Sequence, residues 1–232
     1  MMKKIINQNT ILDLKLYNSF DYQYIFSNSP LKRTSNINEN AEEKKIKLER
    51  LKEKIKSIKD YDIKNNTNQI FFSSGFINSK IMIIGDSPSE EDNNLGAPFT
   101  GKEGVLLEKM LLAINLNKSK VYITNFFNPK KINFTNTETK KYGNFLIEHI
   151  SIINPKILIF MGTMALEVIF NEKKLKPIKR GVWEKITINQ KIIECMITFH
   201  PSYLLKKPEE KKLSWIHLKN IKKKAEILNL KI

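Results

Sequence analysis

The sequence predicts an α/β fold: a three-layer α/β/α sandwich around a central, mainly parallel four-stranded sheet, with a helical extension at the N-terminus. Three observations predict it. Short apolar runs alternate with segments of helical period, the pattern of strands joined by crossover helices. The runs KIMIIG and KILIFMG are continuously apolar, as suits strands covered on both faces. Three polar loops, GDSPSEED, TNFFNPKK and FHPSYLL, directly follow strand candidates. In open α/β sheets ligands bind beyond the carboxyl ends of the strands, so these loops are expected to meet in one crevice.

Residues 1–40 mix apolar positions with Asn and Ser and hold no sustained period. LDLKLYNSFDYQYIF reads as a short docking helix and SNSPLKRTSNINEN as a linker, so 1–40 is expected to be an extension and 41–232 the domain. AEEKKIKLERLKEKIKSIK sets Ile46, Leu48, Leu51, Ile55 and Ile58 at helical spacing, a surface helix with Glu–Lys pairs on its wet side. KIMIIG is the first strand, GVLLEKMLLAINL a helix, VYITNFF the second strand, and NFLIEHISIINP a helix closed by proline. KILIFMG is the third strand and TMALEVIF a helix. KITINQKIIECMITFHP reads as a hairpin or two strands, and PEEKKLSWIHLKNIKKKAEILNL as a long basic helix.

The formal net charge of +16 points to a polyanionic partner, nucleic acid first and an anionic membrane surface second. The excess is nearly all lysine, with arginine only at Arg33, Arg50 and Arg180. Lysine neutralises phosphate but lacks the planar fork of arginine. No apolar run is long enough to cross a membrane, and the opening MMKKIINQNT has no apolar stretch behind its charges. The expected compartment is the cytoplasm, with no membrane partner. The sole cysteine, Cys195, excludes an intrachain disulfide and a four-thiolate cluster, and reads as a small buried apolar residue.

Four ordered motifs carry more than composition. GDSPSEEDNNLGAPFTGKEG, VYITN, PKILIFMGTMA and FHPSYLL resemble the signatures of family 4 uracil-DNA glycosylases across about Phe71 to Ile221. That family typically shows GE-x-PG with an acidic cluster, G-x-PF-x-G, ITN, a strand ending in LG, and FHPAYLL. The resemblance implies a monomeric, monofunctional glycosylase that flips uracil out of DNA and hydrolyses its N-glycosidic bond.

Carried over residue by residue, the resemblance makes Phe99 the ring that stacks on the flipped base. Taken alone, Phe99 is equally a core phenylalanine beside a turn. Asn125 corresponds to the amide that reads the O4 and N3–H edge of uracil, where cytosine presents the reverse pattern. His200 corresponds to the imidazole near uracil O2, where a neutral N–H stabilises the charge left as the bond breaks. Asp86 stands where the family has a catalytic glutamate, its carboxylate about one methylene shorter, to position water or stabilise a cationic sugar. Ser87 is expected beside the base, and Ser89 stands where the family generally has glycine, so added side chains here narrow the pocket. Asp92 matches an acidic position that orients water or base.

For DNA, Pro201 to Leu205 resembles the loop that enters the minor groove and fills the space of the flipped base, with Tyr203 and Leu204 as apolar wedges. Ser202 and Lys206 are expected at phosphates, as are Lys179 and Arg180 in a KRG turn that matches a family segment. Leu204 and Leu205 have the alternative of packing beneath the last helix.

The family's four iron–sulfur cysteines are missing. Ile58, Tyr61 and Pro129 fall at the first three positions and the fourth lies near Tyr142, so no cluster and no metal are expected. Apolar or aromatic packing takes over the cluster's stapling role. Asn133 is a loose match to a further family asparagine. The substitutions leave two alternatives: a non-catalytic or covalently trapping relative that binds dU or abasic DNA, and a glycosylase for hypoxanthine, xanthine or mismatched thymine.

Overall fold

In the computed structural model, which describes residues 35–57, 73–86, 88–126, 136–163, 165, 169 and 179–230, helix α1 (Ser35–Lys56) precedes strands β1 (Ser73–Gly75) and β2 (Ile81–Gly85). Helices α2 (Glu90–Leu95) and α3 (Gly101–Leu112) lead to β3 (Tyr122–Asn125). Helix α4 (Asn136–Ile153) leads to β4 (Ile157–Met161). The hairpin β5 (Trp183–Ile188) and β6 (Lys191–Thr198) is followed by α5 (Pro201–Lys206) and α6 (Lys211–Ile227).

Among the described residues the sheet has six strands in the order β1-β3-β2-β4-β6-β5, the four expected from the sequence plus two edges. The four central strands are parallel, and β1 and β5 add antiparallel edges. Ser73-Ser74-Gly75 carries no apolar signal, because an edge strand needs only backbone pairing. The hairpin closes through Asn189 and Gln190, whose positive φ values of 48° and 64° suit a two-residue turn matching strand twist.

Alternate strand residues feed two cores, which makes the three layers. Met82, Ile84, Leu158 and Phe160 pack with Leu51 and Ile55 of α1 and Leu146 and Ile150 of α4. Ile83, Ile123, Ile159 and Met161 pack with Leu107 and Leu111 of α3, Leu204 of α5, and Leu218 and Ile221 of α6. Helix α1 is also tied by Lys44, whose Nζ donates to the carbonyl of Ile153 at 2.8 Å, where a cation meets the negative end of α4. Of the expected extension 1–40, only Ser35–Asn40, the start of α1, falls among the described residues. The expected helix at residues 12–26 lies outside them, as do Ile58, Tyr61, Ser87, Pro129 and Asn133.

β2 sits between β3 and β4, so the chain leaves it to one side and later returns on the other. Such a reversal opens a crevice at the strand's carboxyl end. Register aligns the four ends: Gly85 pairs with Asn125 and Met161, and Met161 with Thr198. Among the described residues no helix is long and apolar enough to cross a membrane.

Candidate active site

Gly85 ends β2 beneath two of the predicted side chains. A Cβ there would lie 2.5 Å from Asn125 Oδ1 and 2.6 Å from Phe99 Cζ, so only glycine lets amide and ring share this space. Phe99 in turn stacks on His200, with ring centroids 5.2 Å apart and planes 26° from parallel. Three loops thus deliver a ring, an amide and an imidazole to one place, as the strand-end argument expects.

Asp86 is half-buried at the same strand end. Its carboxylate lies against Gly162, just past β4, where a Cβ would collide with it and where φ is +114°. The carboxylate thus lies at the β2 and β4 ends, next to the strand whose last residue, Gly85, packs against ring and amide.

Asp92 is 2% exposed, and both of its oxygens are occupied. Oδ1 accepts from Thr100 N at 2.7 Å and Thr100 Oγ1 at 2.6 Å. Oδ2 accepts from Ser89 N at 3.2 Å and Asn125 Nδ2 at 2.9 Å. The expected catalytic role is corrected by this geometry: a dry carboxylate with four internal donors has no lone pair left to orient water. Of the acidic run only this charge is spent inside the protein; Glu90 and Glu91 stay exposed on α2. Ser89 does not intrude on the pocket but caps α2, its Oγ accepting from Asp92 N in a reciprocal capping box. Glu103, behind the Phe99 loop, has its carboxyl pushed up by desolvation and by Asp92 and Glu91, with Lys206 opposing.

Asn125 is 6% exposed, its Nδ2 is held by Asp92, and its Oδ1 has no partner among the described residues. An unpaired buried acceptor costs about 1–3 kcal/mol. Phe99 stands at φ 53°, a left-handed backbone that costs a non-glycine residue about 1–2 kcal/mol. The Asp92–Thr100 bonds hold the next residue in place, and Gly104 leaves room for the Phe99 carbonyl.

His200 is the N-cap of α5, with Pro201 at its first position. Its Nδ1 accepts from the backbone N–H of Ser202 at 3.2 Å and lies 2.7 Å from Ser202 Oγ. A backbone N–H can only donate, so the neutral ring carries its proton on Nε2. Burial pushes the imidazole pKa down to about 4, with Asp92 opposing. Ser202 steadies this ring through its backbone N–H and hydroxyl.

Leu204 is 1% exposed in the core beneath α3 and α6, which corrects its expected role as a wedge. Tyr203 and Leu205 are the exposed apolar members of that loop. Tyr203 is backed by a column of rings, stacked on Phe199 at 5.6 Å, with Phe199 stacked on His217 at 5.5 Å. The Arg180 guanidinium lies 5.2 Å over Phe199, and Lys179, Arg180 and Lys206 are exposed. The sequence reading missed Thr100, Gly162 and His217. Thr100 and His217 act through neighbours distant in the chain, and only the glycine after a strand carried a local signal.

Four cluster thiolates cannot come from a chain with one cysteine. Cys195 lies buried in β6, and burial pushes its thiol up to about 12. Tyr142, near the fourth cluster position, is buried in the core of Leu51 and Ile55.

The model of the uracil DNA glycosylase superfamily matches residues 72–227. A type-4 uracil-DNA glycosylase of Thermotoga maritima is 31% identical over 163 residues, covering 68% of this chain and 83% of that protein. A type-4 uracil-DNA glycosylase of Archaeoglobus fulgidus is 30% identical over 56% of this chain and 69% of its own. One of Sulfurisphaera tokodaii is 28% identical over 77% and 84%.

Proposed function

Because the chain belongs to the uracil DNA glycosylase superfamily, we propose that it excises uracil from DNA by hydrolysing the N-glycosidic bond of a flipped nucleotide. The single observation that carries this reading is the orphaned Oδ1 of Asn125, buried over Gly85 beside the Phe99 ring while Nδ2 is held by Asp92. An imide N–H such as N3–H of uracil satisfies that acceptor, and the second Nδ2 hydrogen suits O4. The ring nitrogen of cytosine is itself an acceptor and meets repulsion.

The remaining parts follow from chemistry at each atom. Phe99 supplies a stacking face. The Nε2–H of neutral His200 donates to O2 and stabilises the uracil anion as the bond lengthens. Asp86 holds water for C1′ and offsets positive charge on the sugar, giving free uracil and an abasic site. Lys179, Arg180 and Lys206 neutralise phosphates, and Tyr203 follows the catalytic histidine at the duplex surface. One cysteine cannot ligate an iron–sulfur cluster, and the buried Tyr142, packed with Leu51 and Ile55, supports bracing by apolar contacts in its place.

The test is release of free base from otherwise identical oligonucleotides carrying uracil, hypoxanthine, xanthine or thymine opposite guanine, before and after dialysis against an iron chelator. Uracil release that survives chelation and is lost in His200→Ala and Asn125→Ala is expected. Tight binding of dU DNA without release, or a covalent adduct on a denaturing gel, would overturn it.

A further inference from the structure

Asp92 has no reacting partner in this chemistry, and its geometry gives it another task. We infer that Asp92 is the positioning residue that sets pyrimidine choice, by fixing the Asn125 amide and tying it to the Phe99 loop through Thr100. The inference rests on the reading of the site as a uracil pocket.

An amide read by a base has two orientations, and each recognises a different pyrimidine. With Oδ1 toward the base it accepts from N3–H of uracil. Turned over, it donates to N3 of cytosine and accepts from the amino group. Nothing in the Asn125 side chain itself prefers either state.

A carboxylate decides, because it can only accept. Asp92 Oδ2 takes the Nδ2 hydrogen at 2.9 Å. Turning the amide over would press Oδ1 against that oxygen in a site 2% exposed at Asp92 and 6% at Asn125, with no water to intervene. The carboxylate cannot swing away, because Ser89 N holds Oδ2 and Thr100 holds Oδ1 through N and Oγ1. Thr100 directly follows left-handed Phe99. One buried charge thus fixes which base edge is read and holds the residue after the stacking ring.

Asp92→Asn is the sharpest probe. With its Oδ1 kept on Thr100, its own amide donates toward Asn125 and favours the turned-over state. In single-turnover release from matched duplexes, the uracil-to-cytosine rate ratio is expected to fall about 10- to 100-fold. Asp92→Glu keeps an acceptor and is expected to keep the ratio even where turnover drops. A lower uracil rate with an unchanged ratio in Asp92→Asn would reduce the residue to a structural strut and overturn the inference. If Asp92→Asn is too unstable to assay, Thr100→Val decides: KM for uracil DNA rises about tenfold with the ratio kept, and an unchanged KM overturns the coupling. A wild-type protein that releases no uracil overturns the reading of the site itself, and the inference with it.

Discussion

Nδ1 of His200 accepts the backbone N–H of Ser202 at 3.2 Å, and this contact decides which nitrogen carries the imidazole proton. Because the donor is main chain, no substitution at residue 202 except proline removes it. Ser202→Ala is therefore expected to keep most of the activity, whereas His200→Ala loses about 10²–10³ in kcat with little change in KM. Steady-state release of uracil from a dU oligonucleotide measures both. Equal losses in the two variants would mean that the hydroxyl, not the ring, does the chemistry.

Two imidazoles desolvated by the fold also set an acid limit on stability. His200 and His149 have folded pKa values pushed down to about 4 and about 3, both mainly by burial, below the ordinary value of 6.5. In acid the unfolded chain therefore binds protons that the folded chain refuses. Their contribution is full above pH 6.5 and is lost as pH falls from there toward 4. Tm is expected to drop steadily between pH 7 and 4.5. His149→Gln cannot titrate and should lessen that slope. A flat Tm over this range would rule out neutral buried rings.

Gly85→Ala tests the shared space at the end of β2. The added methyl would meet Asn125 Oδ1 and Phe99 Cζ, both under 3 Å away. Overpacking of this kind costs about 1–3 kcal/mol. Displacing ring and amide by a few tenths of an ångström is expected to cost about 100-fold in kcat/KM. Chemical denaturation and base release, run side by side, separate the two effects. Normal activity would show that catalysis tolerates a shifted ring and amide.

Tyr203 and Leu204 are neighbours with opposite fates, one 42% and the other 1% exposed. Leu204→Ala is expected to lower stability by about 2–5 kcal/mol while leaving DNA affinity intact below its melting point. Tyr203→Ala should leave stability nearly unchanged and slow excision from duplex more than from single strands, because only a duplex leaves a gap to fill. The reverse pattern would place the wedge elsewhere.

Much of this fold was legible because buried parallel strands announce themselves as apolar runs such as Ile81–Ile84 and Ile157–Met161. β1 was not, since Ser73 to Gly75 joins the sheet through backbone alone. Phe99, Asn125, His200 and Asp86 were legible because each follows a strand end or a glycine-rich turn. The role of Asp92 was not, because a carboxylate near a pocket looks the same in sequence whether it faces water or four donors. For Leu204 the sequence leaves both a wedge and a packed position open: in a helix of six residues adjacent leucines point to different sides, and only packing tells which is inward.

The left-handed backbone at Phe99 persists because the ring it carries more than offsets the strain. Glycine at that position would relax the turn by about 1–2 kcal/mol, yet it would empty a place 2% exposed beside Leu107 and Ile123, where losing an aromatic ring costs about 3–5 kcal/mol. A screen of this loop for survival of heating alone would therefore retain the same phenylalanine that turnover requires.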